Sequence, residues 1–362
     1  MRKFQIMLAL LSGAMLPVAG NTASASDNGG AKARPMYLSL KHGAQHTVPG
    51  TPQLPQWSGS FTDRTGKQVD FTMVGGNPAN TATTHVPVVL VPVIVVYDQD
   101  NGGKVFDPRR HKVSNGQSVI ENVANSPLFT SNIDYIQGGT DLGTTQFLDA
   151  FQRGNFWNSV KKNPGYHLLY DATVASEPLE IRVTSGQGSV IQNPLGGGKV
   201  GTLGFGYFDG QIQSYIEVEP NTINPGVIPV FVTYNVYLTE GGCCIGGYHY
   251  AEGGAPGGQT YAFATYVDAK KSFAEDISAI ALELGEVTDD PFASNLVNCT
   301  DTPALDVGAT VGLKNVYPYT ENDFTYRLPS LDFVTYFGAP KSTSVNKWYS
   351  FQGEQKRVCG GQ

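Results

Sequence analysis

From about Ser58 onward, apolar and polar positions alternate over much of the chain, which is the period of half-buried strands. Residues 61–73 alternate about a turn at Asp63-Arg64-Thr65-Gly66 and predict a hairpin, and the continuous apolar, β-branched run 88–97 predicts a buried strand. Strands are also predicted over 166–170, 179–184, 200–208, 211–218, 230–238 and 261–267, divided by turns such as Gly196-Gly197-Gly198 and Asp209-Gly210. The period changes to that of a helix twice. Over 144–161, Phe147, Ala150, Phe151, Gly154 and Trp157 make one stripe, with Asp149 and Gln152 opposite and Pro164-Gly165 as the stop. The second helix is predicted over 272–289. Ser272 and Glu275 have capping-box spacing, and Ile277, Ile280, Ala281, Leu284 and Val287 form the apolar face. Asp276, Glu283, Glu286 and Asp290 share another side, and Pro291 cannot continue the helix. The fold class this implies is α+β, β-rich with mixed sheets and few helices, and no internal repeat points to a propeller or solenoid.

The N-terminus changes the setting. Arg2 and Lys3 precede an apolar run over 4–19, broken by Gln5, Ser12, Gly13 and Pro17, and Ala23-Ser24-Ala25 follows. This is the pattern of a secretory signal peptide over 1–25, cleaved after Ala25, and it predicts a secreted or periplasmic protein. The run is too short and interrupted to span a bilayer, and the apolar stretch 86–97 contains Pro87 and Pro92, so no membrane insertion is expected. Residues 26–60, rich in Ser, Gly, Pro and Thr, read as an extended, partly mobile lead-in. Residues 61–362 read as one β-rich domain or two lobes, 61–220 and 221–362. The net charge of −7 becomes more negative without Arg2 and Lys3, which argues against nucleic acid and anionic membranes as partners. Charged residues are only 15% of the chain and aromatics 11%, which suits a packed β-rich fold and not a disordered one.

Export makes disulfides available. Cys243, Cys244, Cys299 and Cys359 are even in number and lack CxxC spacing, so they read as staples. The favoured pairing sets Cys243 and Cys244 against Cys299 and Cys359, since a ring closed between neighbours strains their peptide. Residues 98–103 look faintly like a calcium loop, but Arg109 stands where the twelfth-position glutamate belongs, and a Gly-rich hairpin turn explains them better. No nucleophile elbow, P-loop or dinucleotide fingerprint occurs. Gly201, Gly204 and Gly206 sit in a strand pattern with no helix after them. Glu217, Glu219 and Glu240 are not singled out as a glycosidase pair, and His42, His46, His85, His111 and His167 have no partner at ligand spacing. Asn298-Cys299-Thr300 matches a glycosylation sequon.

The stretch from Asp276 to Phe292 resembles a segment of a family of secreted bacterial zincin-like, metallopeptidase-related proteins, in which a His-Glu-x-x-Glu core precedes Asp-Pro-Phe. Cys243-Cys244-x-x-Gly247-Tyr248-His249, the run from Gly143 to Arg153 and Leu305-Asp306-Val307-Gly308 are similar too, so the resemblance runs from about residue 85 to the C-terminus. It implies Glu283 as catalytic base and Glu286 as metal ligand, with Asp306 completing the shell and His249 nearby. Ligands one turn apart on a helix converge on one ion, and the acid between them aims at a metal-bound water. The chain departs from the pattern at one position: Leu282 replaces the first ligand histidine. Zinc or calcium is the expected cofactor, the oxygen-rich remainder favouring the harder ion. The competing reading is a solvated acidic helix face balanced by Lys270 and Lys271. The expected function is a metallopeptidase-like secreted protein, degenerate at its metal site, acting on peptides. The alternative is a non-catalytic extracellular protein that binds glycan or protein ligands. No residue pattern specifies an oligomeric state.

Overall fold

The computed structural model describes residues 36–42, 51–63, 65–252, 256–268, 270, 272–297, 304–308, 316–338 and 341–359. Residues 1–25, expected to be a signal peptide, His46, Lys271 and the sequon 298–300 lie outside these residues.

Eleven strands build one mixed sheet. Its spine is Thr83–Tyr97, buried on both faces from residue 88 to 95, as a run of Val, Leu and Ile requires. Ile228–Tyr234 runs parallel along one side, while His167–Val174 and Leu179–Val183 pair in succession along the other. Beyond Ile228–Tyr234 come Thr260–Tyr266, Cys243–Glu252, Val236–Thr239, Lys199–Gly204 and Gly188–Gln192. Val105–Phe106 folds back on the end of the spine, which makes 98–103 a hairpin turn as expected. Met36–His42 pairs with Cys243–Glu252, so part of the expected lead-in belongs to the sheet. Residues 61–220 and 221–362 share the sheet as well, since the spine and Ile228–Tyr234 are neighbours in it. Gln56–Thr62 with Gln68–Val74 is the predicted hairpin, and two further hairpins join Ile133–Gln137 to Thr140–Thr145 and Val316–Glu321 to Phe324–Pro329. With five α-helices among the described residues, the fold is the expected β-rich α+β.

Side chains alternate along the strands and so sort into two cores. Val86, Val88, Leu90, Val230, Val232, Ala262 and Ala264 face one, together with the helices Phe147–Asn155 and Ser278–Asp289. Val89, Val91, Val93, Val95, Phe231, Phe263, Tyr248 and Tyr250 face the other, under the helix Phe205–Val218. Each buried Val or Leu contributes about 1.5–3 kcal/mol, so both faces are strongly specified.

Several sequence expectations need correction. The predicted strands 200–208 and 211–218 are the strand Lys199–Gly204 followed directly by the helix Phe205–Val218, so a helix does follow Gly201 and Gly204. Phe208 and Ile212 stand one helical turn apart and bury themselves in the second core, and Tyr215 meets Phe231 edge-on. Packing of that face outweighs the β preference of its aromatic and branched residues. The strand expected over 230–238 is broken by Asn235, whose φ of 53° divides it in two. The helix expected over 272–289 starts only at Ser278. Ser272 bonds Tyr237 across 3.0 Å, Glu275 pairs with Arg327, and Asp276 has a φ of 46°, so 272–277 is a bent lead-in and Asp276 leaves the helical face. A complete capping box stands instead at Ser118 and Glu121, opening the unpredicted helix Val119–Ala124. The favoured cysteine pairing is overturned too. Cys243 bonds Cys244, their Cα atoms 3.1 Å apart across a cis peptide, and Cys359 is disulfide-bonded as well. A cis peptide brings neighbouring Cα atoms closer than the usual ~3.8 Å, which lets the two sulfurs meet.

The helix predicted over 144–161 is Phe147–Asn155, continued by Trp157–Val160, and its polar side is as buried as its stripe. Asp149 accepts Thr145 Oγ1–H at 2.6 Å and the Leu168 N–H at 2.6 Å and lies 2.8 Å from His167 Nδ1. Removing it strands a buried N–H. Asp149→Ala is therefore expected to cost about 2–4 kcal/mol. Urea unfolding measures this, and a loss below about 1 kcal/mol would contradict the role given to the carboxylate.

Candidate metal centre

His249 lies on Cys243–Glu252 between Tyr248 and Tyr250. Both tyrosines belong to the second core, so strand alternation turns His249 to the opposite face. There the sheet is lined by small residues: Gly247 pairs with Ala264 and His249 with Ala262. Small side chains let the helix Ser278–Asp289 lie close on the sheet, and every residue of that helix is buried. A helix buried all round has no solvated face. The reading of Glu283 and Glu286 as a solvent-facing pair balanced by lysines is thereby overturned: both are 0% exposed, as is His249.

The closeness is literal at two glycines. A Cβ on Gly247 would stand 2.5 Å from Glu283 Oε1. One on Gly308 would stand 2.4 Å from Leu282 Cγ and 2.6 Å from Glu286 Oε1. Leu282, in the place of the resemblance's ligand histidine, therefore packs against the loop that carries Asp306.

His249 Nδ1 is 3.3 Å from Glu286 Oε2 and 3.5 Å from Glu283 Oε2. One ligating atom from each of the three residues lies within 4.8 Å of the others. Neither carboxylate has a well-aligned hydrogen-bond donor among the described residues. Burial, with the Glu286 and Asp306 charges beside it, pushes the Glu283 carboxyl well above the usual range. Burial raises Glu286 too, while Asp306 and the Gly308 N–H draw it back. The His249 imidazole is lowered by burial, against the pull of Asp290 and Asp306. The structure thus gathers Glu283, Glu286 and His249, with Asp306 at the margin of the group.

Donor spacing tests the fit of an ion. Two ligands each about 2.1 Å from a tetrahedral ion stand about 3.4 Å apart, the spacing seen from the imidazole to both carboxylates. Hydrogen bonds would be shorter. One imidazole with two or more carboxylates is a donor set for a divalent cation of intermediate to hard character. Glu283 is thus as near the imidazole as Glu286, so the two differ little in their access to an ion.

Sequence reasoning assigned no ligand role to the acids at the helix end. Burial pushes Asp289 up to about 8 and Asp290 up to about 6, both from an ordinary 3.8. Gln152 donates to Asp289 Oδ1, and Asn155 Nδ2 stands 3.5 Å from Oδ2. The sequence set Asp290 on the same helix side as Glu283 and Glu286, and otherwise Asp289-Asp290-Pro291 was legible as a helix stop. His111 also has partners that spacing did not reveal. It stacks on Tyr234 with ring centres 4.0 Å apart and lies 3.3 Å from Asp268, beside a cleft of about 570 Å³. His85 pairs with Asp171 on the neighbouring strand.

No family model matches the chain, and no curated protein or solved structure matches it either.

An acid that keeps its proton longer in the fold stabilises the fold fully below its unfolded pKa, and that contribution is lost as pH rises through the folded value. For Asp290 and Asp289 the window runs from about pH 4 to about pH 6 and about pH 8 respectively. The metal-free protein is expected to lose stability steadily as pH rises across that window, by up to about 1.4 kcal/mol per pH unit for each group. Urea midpoints measured at pH 4, 6 and 8 in chelator test this, and a midpoint that rises with pH contradicts it.

Proposed function

We propose that this chain is a secreted, metallopeptidase-like protein whose altered centre holds one divalent cation between His249, Glu283 and Glu286, with Asp306 beside it, and no longer hydrolyses peptides. The observation that carries the reading is the pair of 3.3 and 3.5 Å separations from His249 Nδ1 to two wholly buried carboxylates. Two carboxylates left side by side without a cation or a proton cost several kcal/mol each in a dry interior. A divalent ion removes that cost and satisfies the oxygens that lack donors.

The loss of hydrolysis rests on two features of the same helix. Leu282 supplies no donor where the resemblance expects one, and its side chain is packed on Gly308. Glu283, the base implied by the resemblance, stands among the ligands and so is poorly placed to serve a metal-bound water. The cation then acts as a staple between helix and sheet, as structural metals do.

Elemental analysis of the purified chain is expected to find one divalent cation per molecule, and chelation is expected to lower the thermal midpoint by several degrees. Glu283→Gln should reduce cation affinity about tenfold or more. Absence of stoichiometric metal after loading with zinc, calcium and manganese in turn removes the proposal. Metal-dependent cleavage of a casein substrate, abolished in Glu283→Gln, would retain the centre but restore Glu283 as base. Leu282→His adds a donor one turn before Glu286 and should raise zinc affinity.

A further inference from the structure

The hairpin of Gln56–Thr62 and Gln68–Val74 stands outside the eleven-stranded sheet, and its two edges differ. Along Gln68–Val74, Asn295 takes the place of a further strand. Its Nδ2 donates to the Thr72 carbonyl at 2.8 Å, and the Thr72 N–H donates to its Oδ1 at 2.9 Å. The backbone of Thr72 therefore faces away from Ser58, the residue opposite it. In an antiparallel pair both members of such a position face outward. Alternation extends this to Gln56, Ser58, Ser60 and Thr62. The flanking bonds agree: the Gly75 N–H donates to the Pro55 carbonyl at 2.7 Å and the Asp63 N–H to the Lys67 carbonyl at 2.8 Å, so odd positions face inward.

Among the described residues, no strand or other backbone group pairs with the outward N–H and C=O groups of these four residues, and all four are exposed. An open edge of seven residues is ordinarily guarded by lysine, proline or a bulge. Gln-Trp-Ser-Gly-Ser-Phe-Thr has none of them. The same edge borders a cleft of about 300 Å³, where Ser60, Phe61 and Thr62 meet Phe156, Val334 and Thr335 and no charged residue intrudes. Phe61 turns to the inner face of the hairpin, its ring centre 6.4 Å from that of Phe71. In a strand laid along this edge, the residue opposite Phe61 sends its side chain to that same face.

We propose that the open edge of Gln56–Thr62 binds an extended, uncharged peptide segment of another protein as a third strand. Its backbone pairs with Gln56, Ser58, Ser60 and Thr62, and one bulky apolar side chain enters the cleft beside Phe61. Backbone donors and acceptors repeating every second residue match another extended backbone, and an uncharged cleft edged by phenylalanine suits an apolar side chain. A second copy of this chain fits less well. Paired two-fold about Gly59, it would set its Trp57 opposite Phe61, yet Trp57 is held edge-on by Phe71 and Phe156 of its own chain, ring centres 5.3 Å apart in each case. The inference stands apart from the metal centre, and its test needs no cation.

The test follows fluorescein-labelled heptapeptides on the full chain by anisotropy, with threonine alternating with leucine, phenylalanine or lysine. The leucine and phenylalanine peptides are expected to bind about tenfold or more tightly than the lysine peptide. Ser60→Pro removes an outward N–H and keeps the pairing with Gln68–Val74, because proline is tolerated where the N–H faces away from the partner strand. It should weaken the leucine peptide about tenfold, while Ser60→Ala stays within about threefold of wild type. In the wild type, adding the leucine peptide should slow amide hydrogen exchange over 56–62, a readout that needs no variant to fold. Failure of all three peptides to bind up to about 1 mM overturns the proposal. Equal affinity for the lysine peptide, wild-type affinity in Ser60→Pro, or slowing confined to other segments also overturns it. Slowing over 56–62 that grows with protein concentration alone, without peptide, overturns it in favour of a dimer.

Discussion

Carboxylates held where water does not reach are expensive unless a proton or a cation neutralises them, and the face between the helix Ser278–Asp289 and the sheet holds several at once. Glu283 and Glu286 come from the helix, Asp306 from the loop that closes over it, and His249 from the strand beneath. Small residues create this situation. Gly247, Ala262 and Ala264 line the sheet side, and Gly308 lines the loop, so the helix lies close on both and the Glu283 and Glu286 carboxylates stand beside the imidazole. Close packing excludes water, and the exclusion of water is what raises the demand for a counter-charge. Stability of this interface and neutralisation of its carboxylates are one physical problem.

The far end of the same helix is fixed by protein alone. Gln152 and Asn155 reach Asp289 from Phe147–Asn155, and Tyr170 meets Thr288 at 2.5 Å from the neighbouring strand. Arg153 ties that second helix to the carbonyls of Leu142, Pro164 and Tyr166, and Asp149 ties it to Thr145 and Leu168. Each polar side chain there answers a backbone group that would otherwise be buried unpaired. The rotation of Ser278–Asp289 about its axis is therefore set by these contacts, which deliver Glu283 and Glu286 to His249.

How much of this could be read beforehand follows from how local each cause is. The spine strand, the first hairpin and the end of the last helix at Pro291 were legible because residue spacing and proline chemistry act within a few residues. Phe205–Val218 was misread as strands because aromatic and branched residues favour either period, and only the second core makes the helical choice pay. The start of Ser278–Asp289 was misplaced because Ser272 has a partner 35 residues away in Tyr237, which a capping-box pattern does not foresee. The two adjacent cysteines were set against distant partners for a local reason that the backbone geometry at that bond removed.

By itself the sequence determined the α+β class and the helical spacing that keeps Glu283, Glu286 and Asp290 near one another, whereas it set His249 in a Gly-rich loop that the structure shows as the strand Cys243–Glu252. Class and spacing depend on periods of two and 3.6 residues and need no partner element. Only the tertiary structure decided that the acids are buried and not solvated, that Leu282 packs on Gly308, and that Asp289 is satisfied by amides while Asp290 keeps one oxygen free. Burial is a property of what packs against a side chain, and those neighbours come from segments that sequence distance separates by tens to more than a hundred residues.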